Sequence, residues 1–285
     1  MNQITIIGVG LIGGSFARAL KQSGSTVSIM GTGRDENNLR KALQLGVIDR
    51  FDVDIAKAVK DADIVMLAMP VGATFSVLKQ IKSHIKPDCI ITDVGSSKGV
   101  VVDSAREVFG ELPPRLVPGH PIAGTEKSGV EASFAELFQN RRVILTPADN
   151  TASDAVEIIE QLWRKTGAQV STTSVQHHDE VLAATSHLPH MLAFALVDTL
   201  ATMDDNAEIF QFAAGGFRDF TRIASSDAQM WNDICVTNSE AILVMLDRFT
   251  ADLALLRQAI EDKNSEYILE VFRRAKKARD EFCDV

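Results

Sequence analysis

Ile4-Thr5-Ile6-Ile7-Gly8-Val9-Gly10-Leu11-Ile12-Gly13-Gly14 is the stretch that decides the fold. Its first four residues are apolar or β-branched and are followed at once by glycine, which is how a short strand buried on both faces of a parallel sheet reads. Residues 11–22 then carry a helical pattern. Gly8, Gly10 and Gly13 thus fall between a strand and a helix. In that position the first glycine makes the tight turn, the second lets backbone approach a pyrophosphate, and the third allows close helix–strand packing. The helix N-terminus faces the anion. A glycine-rich turn without a ligand is the alternative, and the strand–turn–helix context favours the dinucleotide loop.

The same alternation continues outward. Strands are expected at residues 26–30, 63–68 and 89–94, with helices at 37–45, 72–84 and 98–109. This spacing implies parallel pairing with right-handed crossovers, an α/β doubly wound sheet. Residues 142–146 and 169–172 read as later strands, with a helix at 152–165 between them. From residue 174 everything reads as helix. Ile242, Met245, Leu246, Phe249, Leu253, Leu256 and Ile260 mark one apolar face. The chain therefore divides into an α/β domain, 1–173, and an all-helical domain, 174–285. The helical part has too little chain to enclose its own apolar surface, which calls for a second subunit.

Composition limits the function classes. The 285 residues are 46% hydrophobic and 24% charged, with a net charge of −9. This is ordinary for a globular chain of two domains and gives no basic face for nucleic acid. Three cysteines, Cys89, Cys235 and Cys283, have no metal or redox spacing and read as reduced thiols. No basic segment with a cleavage site opens the chain. The apolar stretch at 187–203 is too short and too polar to span a bilayer and reads as a buried helix. A cytoplasmic enzyme, with neither membrane nor nucleic acid as partner, is the expectation.

The end of the second strand bears on the cofactor. A site that selects NAD puts an acidic side chain there, about twenty residues past the loop, to accept from the ribose hydroxyls. Here the sequence is Met30-Gly31-Thr32-Gly33-Arg34-Asp35. Gly33 stands where the carboxylate is expected, Arg34 can grip a 2′-phosphate, and Thr32 can add a hydroxyl. NADP is expected, with NAD possible through Asp35 if the register shifts by two.

Titratable groups gather in four other places. His120 lies between Gly119 and Pro121, on a turn, where it either works as a base or bonds to backbone. Ser186-His187-Leu188-Pro189-His190 puts two histidines at a helix start, suited to an anionic ligand or to capping. His177, His178 and His84 read as surface residues, and no ligand set for a metal is visible. Gly215 to Arg222 carries Arg218, Asp219 and Arg222, where an arginine can read a carboxylate or an ion pair can form. Ser96, in Asp93-Val94-Gly95-Ser96-Ser97-Lys98-Gly99, follows a strand's carboxyl end, where it can reach a ligand or cap a helix.

On these residues the chain resembles the prephenate/arogenate dehydrogenase family of tyrosine biosynthesis. The resemblance rests on Gly8-Val9-Gly10-Leu11-Ile12-Gly13-Gly14, on Asp93 to Gly99, on Gly119-His120-Pro121-Ile122-Ala123-Gly124-Thr125-Glu126-Lys127-Ser128-Gly129, on Ser186 to His190 and on Gly215 to Arg222. It implies an N-terminal Rossmann domain, an all-helical C-terminal dimerisation domain and a homodimer. It implies oxidative decarboxylation of prephenate or arogenate, with Leu11 and Ile12 joining the glycines at the cofactor. By likeness His120 would take the proton of the ring hydroxyl, Ser96 would orient it, and Arg222 would hold the ring carboxylate. His190 would contact the substrate side chain, with His187 and Thr125 beside it. Glu126, Arg218 and Asp219 would form a charged network at the cleft mouth. Gly33-Arg34 departs from NAD-using members, so NADP remains the expectation.

Overall fold

The computed structural model describes residues 1–204 and 206–283, without the side chains of 206, 207 and 283. Cys283's thiol therefore lies outside the described residues, as do the last two residues of the expected helical domain. Six parallel strands form the main sheet: β1 (Gln3–Ile7), β2 (Ser28–Thr32), β3 (Arg50–Phe51), β4 (Ile64–Leu67), β5 (Ile90–Asp93) and β6 (Leu116–Val117). Their order is β3-β2-β1-β4-β5-β6. All five residues of β1 are buried, as a central parallel strand requires. The connecting helices are α1 (Leu11–Gln22), α2 (Glu36–Gln44), α3 (Ile55–Val59), α4 (Thr74–Ile81) and α5 (Gly99–Phe109).

Two apolar layers flank this sheet. One gathers Ile4, Ile6, Phe16, Leu20 and Ile29 with Phe138 and Trp163; the other gathers Ile7, Val65, Leu67, Leu78, Ile81 and Ile91. A second sheet comprises β7 (Gly119–Pro121), β8 (Arg142–Leu145) and β9 (Gln169–Thr172), with α6 (Ser153–Lys165) between the last two. β7 runs antiparallel to β8, and β8 parallel to β9. His120 thus sits on a short strand, not on the expected turn.

Every described element after β9 is helical: α7 (Val175–Leu182), a π turn (Ala183–His187), α8 (Leu188–Ala201), α9 (Asn206–Gln211), α10 (Gly215–Thr221), α11 (Ala228–Thr237), α12 (Ser239–Glu261) and α13 (Ser265–Cys283). The chain forms two compact units, Met1–Ser239 and Glu240–Val285. The helices from α7 to α11 thus belong to the same unit as the sheets. Within the second unit, a turn closed by the Asn264 amide donating to the Ala259 carbonyl, 2.8 Å, joins α12 to α13.

The apolar stretch at 187–203 departs from expectation. Its helical run continues from Val175 to Ala201, and by length and composition alone it could cross a membrane. Only Leu188 and Ala193 of α8 are buried, so the stretch is not the buried helix its apolar sequence suggests. Of its polar residues His187 is buried and His190 half-buried, while Asp198, Thr199 and Thr202 are exposed. In α12 only Ile242 and Ala259 are buried, while Leu243, Val244, Leu253, Leu255 and Ile260 are exposed.

Candidate active site

The first strand pair sets the site. β1 has β2 on one side and β4 on the other, so the chain order reverses between β1 and β4. In open α/β sheets ligands occupy the crevice at that reversal, outside the carboxyl ends of the strands.

The three loop glycines do different work. Gly8 has φ +95°, and a Cβ there would lie 2.7 Å from the Ala68 carbonyl oxygen. A Cβ on Gly13 would lie 2.7 Å from the Gly8 carbonyl and 2.8 Å from Ile6 Cγ2, so helix and strand pack directly. Gly10 would meet nothing within 4 Å. It caps α1 without a side-chain hydrogen bond, and no acidic residue sits in the first turn. Leu11 and Ile12 begin α1 half-buried, and the Asn38 side chain ties α2 to the loop through the Val9 carbonyl, 2.8 Å. Open space beside an uncapped helix N-terminus fits a pyrophosphate.

Beyond β2, Thr32 is buried and its carbonyl accepts from the Gly8 amide, 2.9 Å. A Cβ on Gly33 would meet nothing within 4 Å. Arg34 is exposed and has no hydrogen-bond or ion-pair partner among the described residues. Asp35, the alternative acidic partner, is engaged otherwise: its carboxylate accepts from the amides of Asn37 and Asn38 and caps α2.

The carboxyl end of β5 carries a buried hub. Asp93 accepts from the amides of Gly95, 2.7 Å, and Gly119, 3.1 Å, and pairs with the Lys98 ammonium. Lys98 Nζ also donates to the Gly119 carbonyl, 2.8 Å. The pair therefore pins β7, and with it His120, beside β5. Burial pushes the Lys98 pKa down against the opposing pull of Asp93 and Asp179.

His120 is only 8% exposed. Its Nδ1 lies 2.9 Å from His178 Nε2, with the two rings edge-on. His178 Nδ1 in turn lies 2.7 Å from Asp179 Oδ1. Asp179 accepts from the backbone amides of Lys98, 2.9 Å, and Gly99, 2.8 Å, and so caps α5 from α7. Burial would raise the Asp179 pKa, but these hydrogen bonds outweigh it and hold the group below its usual value. His120 is pushed well below its usual value by burial and by the neighbouring His178, Lys98 and His187, so its ring is neutral at pH 7. His120 Nε2 has no partner among the described residues.

His178 is 1% exposed, which corrects the expectation of a surface residue. Buried His178, Asp179, Leu182 and Ala183 recur at helical spacing on one face. That periodicity was the signal available in the sequence. Lys98, Asn238 and Trp231 were also not singled out.

His187 is completely buried, with Nδ1 3.0 Å from the Asn238 amide nitrogen. Burial lowers its pKa to about 4. The ring has no exposed surface. His190 is half-buried, stacks on Trp231 at 3.8 Å and donates from Nδ1 to the Ser186 carbonyl, 2.8 Å. Burial, then the nearby charge of Arg222, lowers its pKa against that hydrogen bond. The structure thus gathers His120, His178, His187, His190 and Arg222 into one electrostatic neighbourhood.

Other expected residues stand apart. Ser96 is half-exposed and makes no hydrogen bond to His120, whose Nδ1 meets His178. Thr125 is exposed, and its hydroxyl accepts from the Lys127 amide, 3.2 Å. Glu126, Arg218 and Asp219 are exposed and form no ion pair with one another. Neighbouring residues on one helix diverge, and exposed charges gain little by pairing.

Comparison with known proteins bears on the family. The family model for the nucleotide-binding domain of prephenate dehydrogenase matches residues 16–172, and that for its dimerization domain matches residues 174–274. A cyclohexadienyl dehydrogenase of Zymomonas mobilis is 42% identical over 97% of this chain and 94% of its own. The prephenate dehydrogenase of Bacillus subtilis is 40% identical over 98% of this chain and 77% of its own. The crystal structure of prephenate dehydrogenase from A. aeolicus, in complex with hydroxyphenyl propionate and NAD+, superposes with a TM-score of 0.92. It is 39% identical and covers 99% of this chain and 98% of that one. The chain belongs to the prephenate/arogenate dehydrogenase family of NAD(P)-dependent oxidoreductases.

Proposed function

We propose that the chain oxidatively decarboxylates prephenate to 4-hydroxyphenylpyruvate, with NADP as the preferred cofactor, as a cytoplasmic homodimer. The reading is carried by the neutral His120 ring, whose Nε2 has no partner and whose Nδ1 is held by His178. A neutral imidazole with one bare nitrogen is equipped to take a hydroxyl proton. When bound, the nicotinamide accepts the hydride from the carbinol carbon. His120 Nε2 takes the proton of the ring hydroxyl as that carbon becomes a carbonyl. The bond to the ring carboxylate then breaks, carbon dioxide leaves, and its electron pair completes an aromatic phenolate. His120 returns the proton to the phenolate oxygen.

Arg222 would hold the ring carboxylate until it leaves, His190 would face the side chain, and Ser96 and Thr125 would contact the substrate from the two loops. Glu126, Arg218 and Asp219 would act singly at the mouth. Gly8, Gly10, Leu11, Ile12 and Gly13 would bind the pyrophosphate. The free Arg34 and open Gly33 support a 2′-phosphate beside Thr32, because Asp35 is spent on α2. The exposed apolar residues of α12 support a second copy of the chain. The domain boundary belongs at 173/174, after β9, where strands give way to helices.

A second reading has its own observation. The Ser186 carbonyl can only accept, so His190 Nδ1 carries a hydrogen and, in the neutral ring, Nε2 is an acceptor. An acceptor there suits the ammonium of arogenate better than the keto group of prephenate. Initial rates on both substrates, each with NADP and NAD, decide between them. Failure to oxidise either one overturns the function.

A further inference from the structure

We infer that His178 and Asp179 fix which nitrogen of His120 carries its hydrogen, and so keep Nε2 bare for the substrate. This rests on the proposed role of His120 as the base. Asp179 receives two backbone N–H groups, from Lys98 and Gly99, and is an acceptor throughout. His178 Nδ1, 2.7 Å from that carboxylate, must therefore donate. In a neutral His178 the remaining nitrogen, Nε2, then accepts. His120 Nδ1, 2.9 Å away, must donate to it, which leaves its Nε2 with a lone pair and no hydrogen.

The arrangement also favours the step itself. When His120 takes a proton, its Nδ1–H becomes a stronger donor toward His178, and Asp179 stabilises the charge through the second ring. The groups facing His120 are His178 from α7, backed by Asp179, His187 from the π turn, and Lys98 from the β5–α5 loop with its partner Asp93 at the end of β5. The cations and histidines among them depress its basicity, and the Asp179 carboxylate is the counterweight relayed through His178. His178 and Asp179 are positioning residues; neither touches substrate.

Nitrogen NMR of the full chain labelled in histidine tests this without substrate, with His120→Asn identifying the signal. The expected spectrum at pH 7 shows His120 protonated at Nδ1 and bare at Nε2; the reverse pattern overturns the inference. Kinetics give a second arm. His178→Phe keeps a ring but loses the acceptor, so kcat falls by about a hundredfold. KM and cofactor affinity stay within about threefold, as for a lost proton-handling role. His178→Gln supplies an amide oxygen in place of Nε2 and recovers about tenfold or more of that loss. Equal kcat in the two variants reduces His178 to packing and overturns the proposal. If the wild-type chain oxidises neither prephenate nor arogenate, the proposed function fails, and the NMR pattern alone sustains or overturns the pair.

Discussion

Lys98 and Asp93 form an ion pair that water does not reach, with side-chain exposures of 0% and 3%. The pair joins the end of β5 to the Gly119 carbonyl, and hence to the strand that carries His120. Removing one partner of a buried pair leaves the other charge uncompensated. Lys98→Met is expected to destabilise the chain by about 3–5 kcal/mol, read from urea unfolding. An unchanged midpoint would show that Asp93 finds another partner.

His120→Asn tests the base. Turnover should fall by about a hundredfold or more, the range for losing a group that accepts a proton in the transition state. Cofactor affinity, followed by fluorescence, should hardly move, since the loop glycines lie between β1 and α1 and His120 on β7. Survival of turnover would remove His120 from the chemistry.

The glycine loop yields a contrast between two neighbours. Gly10→Val should fold normally, because a Cβ there meets nothing within 4 Å, yet weaken cofactor binding by more than about tenfold by filling the pyrophosphate's place. Gly13→Val should instead lower stability by about 1–3 kcal/mol through overpacking against Ile6. Thermal unfolding and cofactor titration on both variants separate the two effects.

Arg34→Ala addresses cofactor choice. A charge-assisted hydrogen bond contributes about 1.5–3 kcal/mol, so the dissociation constant for NADP should rise about tenfold or more. That for NAD should change little. Equal effects on both would take the 2′-phosphate away from this residue.

His187 predicts a pH dependence of stability. Its folded pKa is lowered from 6.5 to about 4, so between those values the unfolded chain binds more protons than the folded one. The stability of the neutral buried ring is complete above pH 6.5 and is lost as pH falls toward about 4. The loss is on the order of 3 kcal/mol. His120 shifts in the same direction. Urea midpoints at pH 7 and pH 4.5 should therefore converge in His187→Asn relative to the wild-type chain; an unchanged gap would assign the dependence elsewhere.

The sequence by itself determined the α/β order, the loop glycines and the helical second half, because these rest on spacing within a dozen residues. Burial of Ile4 to Ile7 and the start of α1 at Leu11 are written in local pattern. The sequence also singled out His120, His190 and Arg222 as residues set in unusual local contexts. Only the tertiary structure decided what surrounds them. β7 is three residues of Gly, His and Pro, too short for any periodicity, and its antiparallel partner lies more than twenty residues on. Asp179 caps a helix that begins eighty residues earlier. His178 reads as polar and exposed until that cap turns it inward onto His120. A buried polar group persists only when its hydrogen bonds are met, and here the partners come from segments that a linear reading keeps apart.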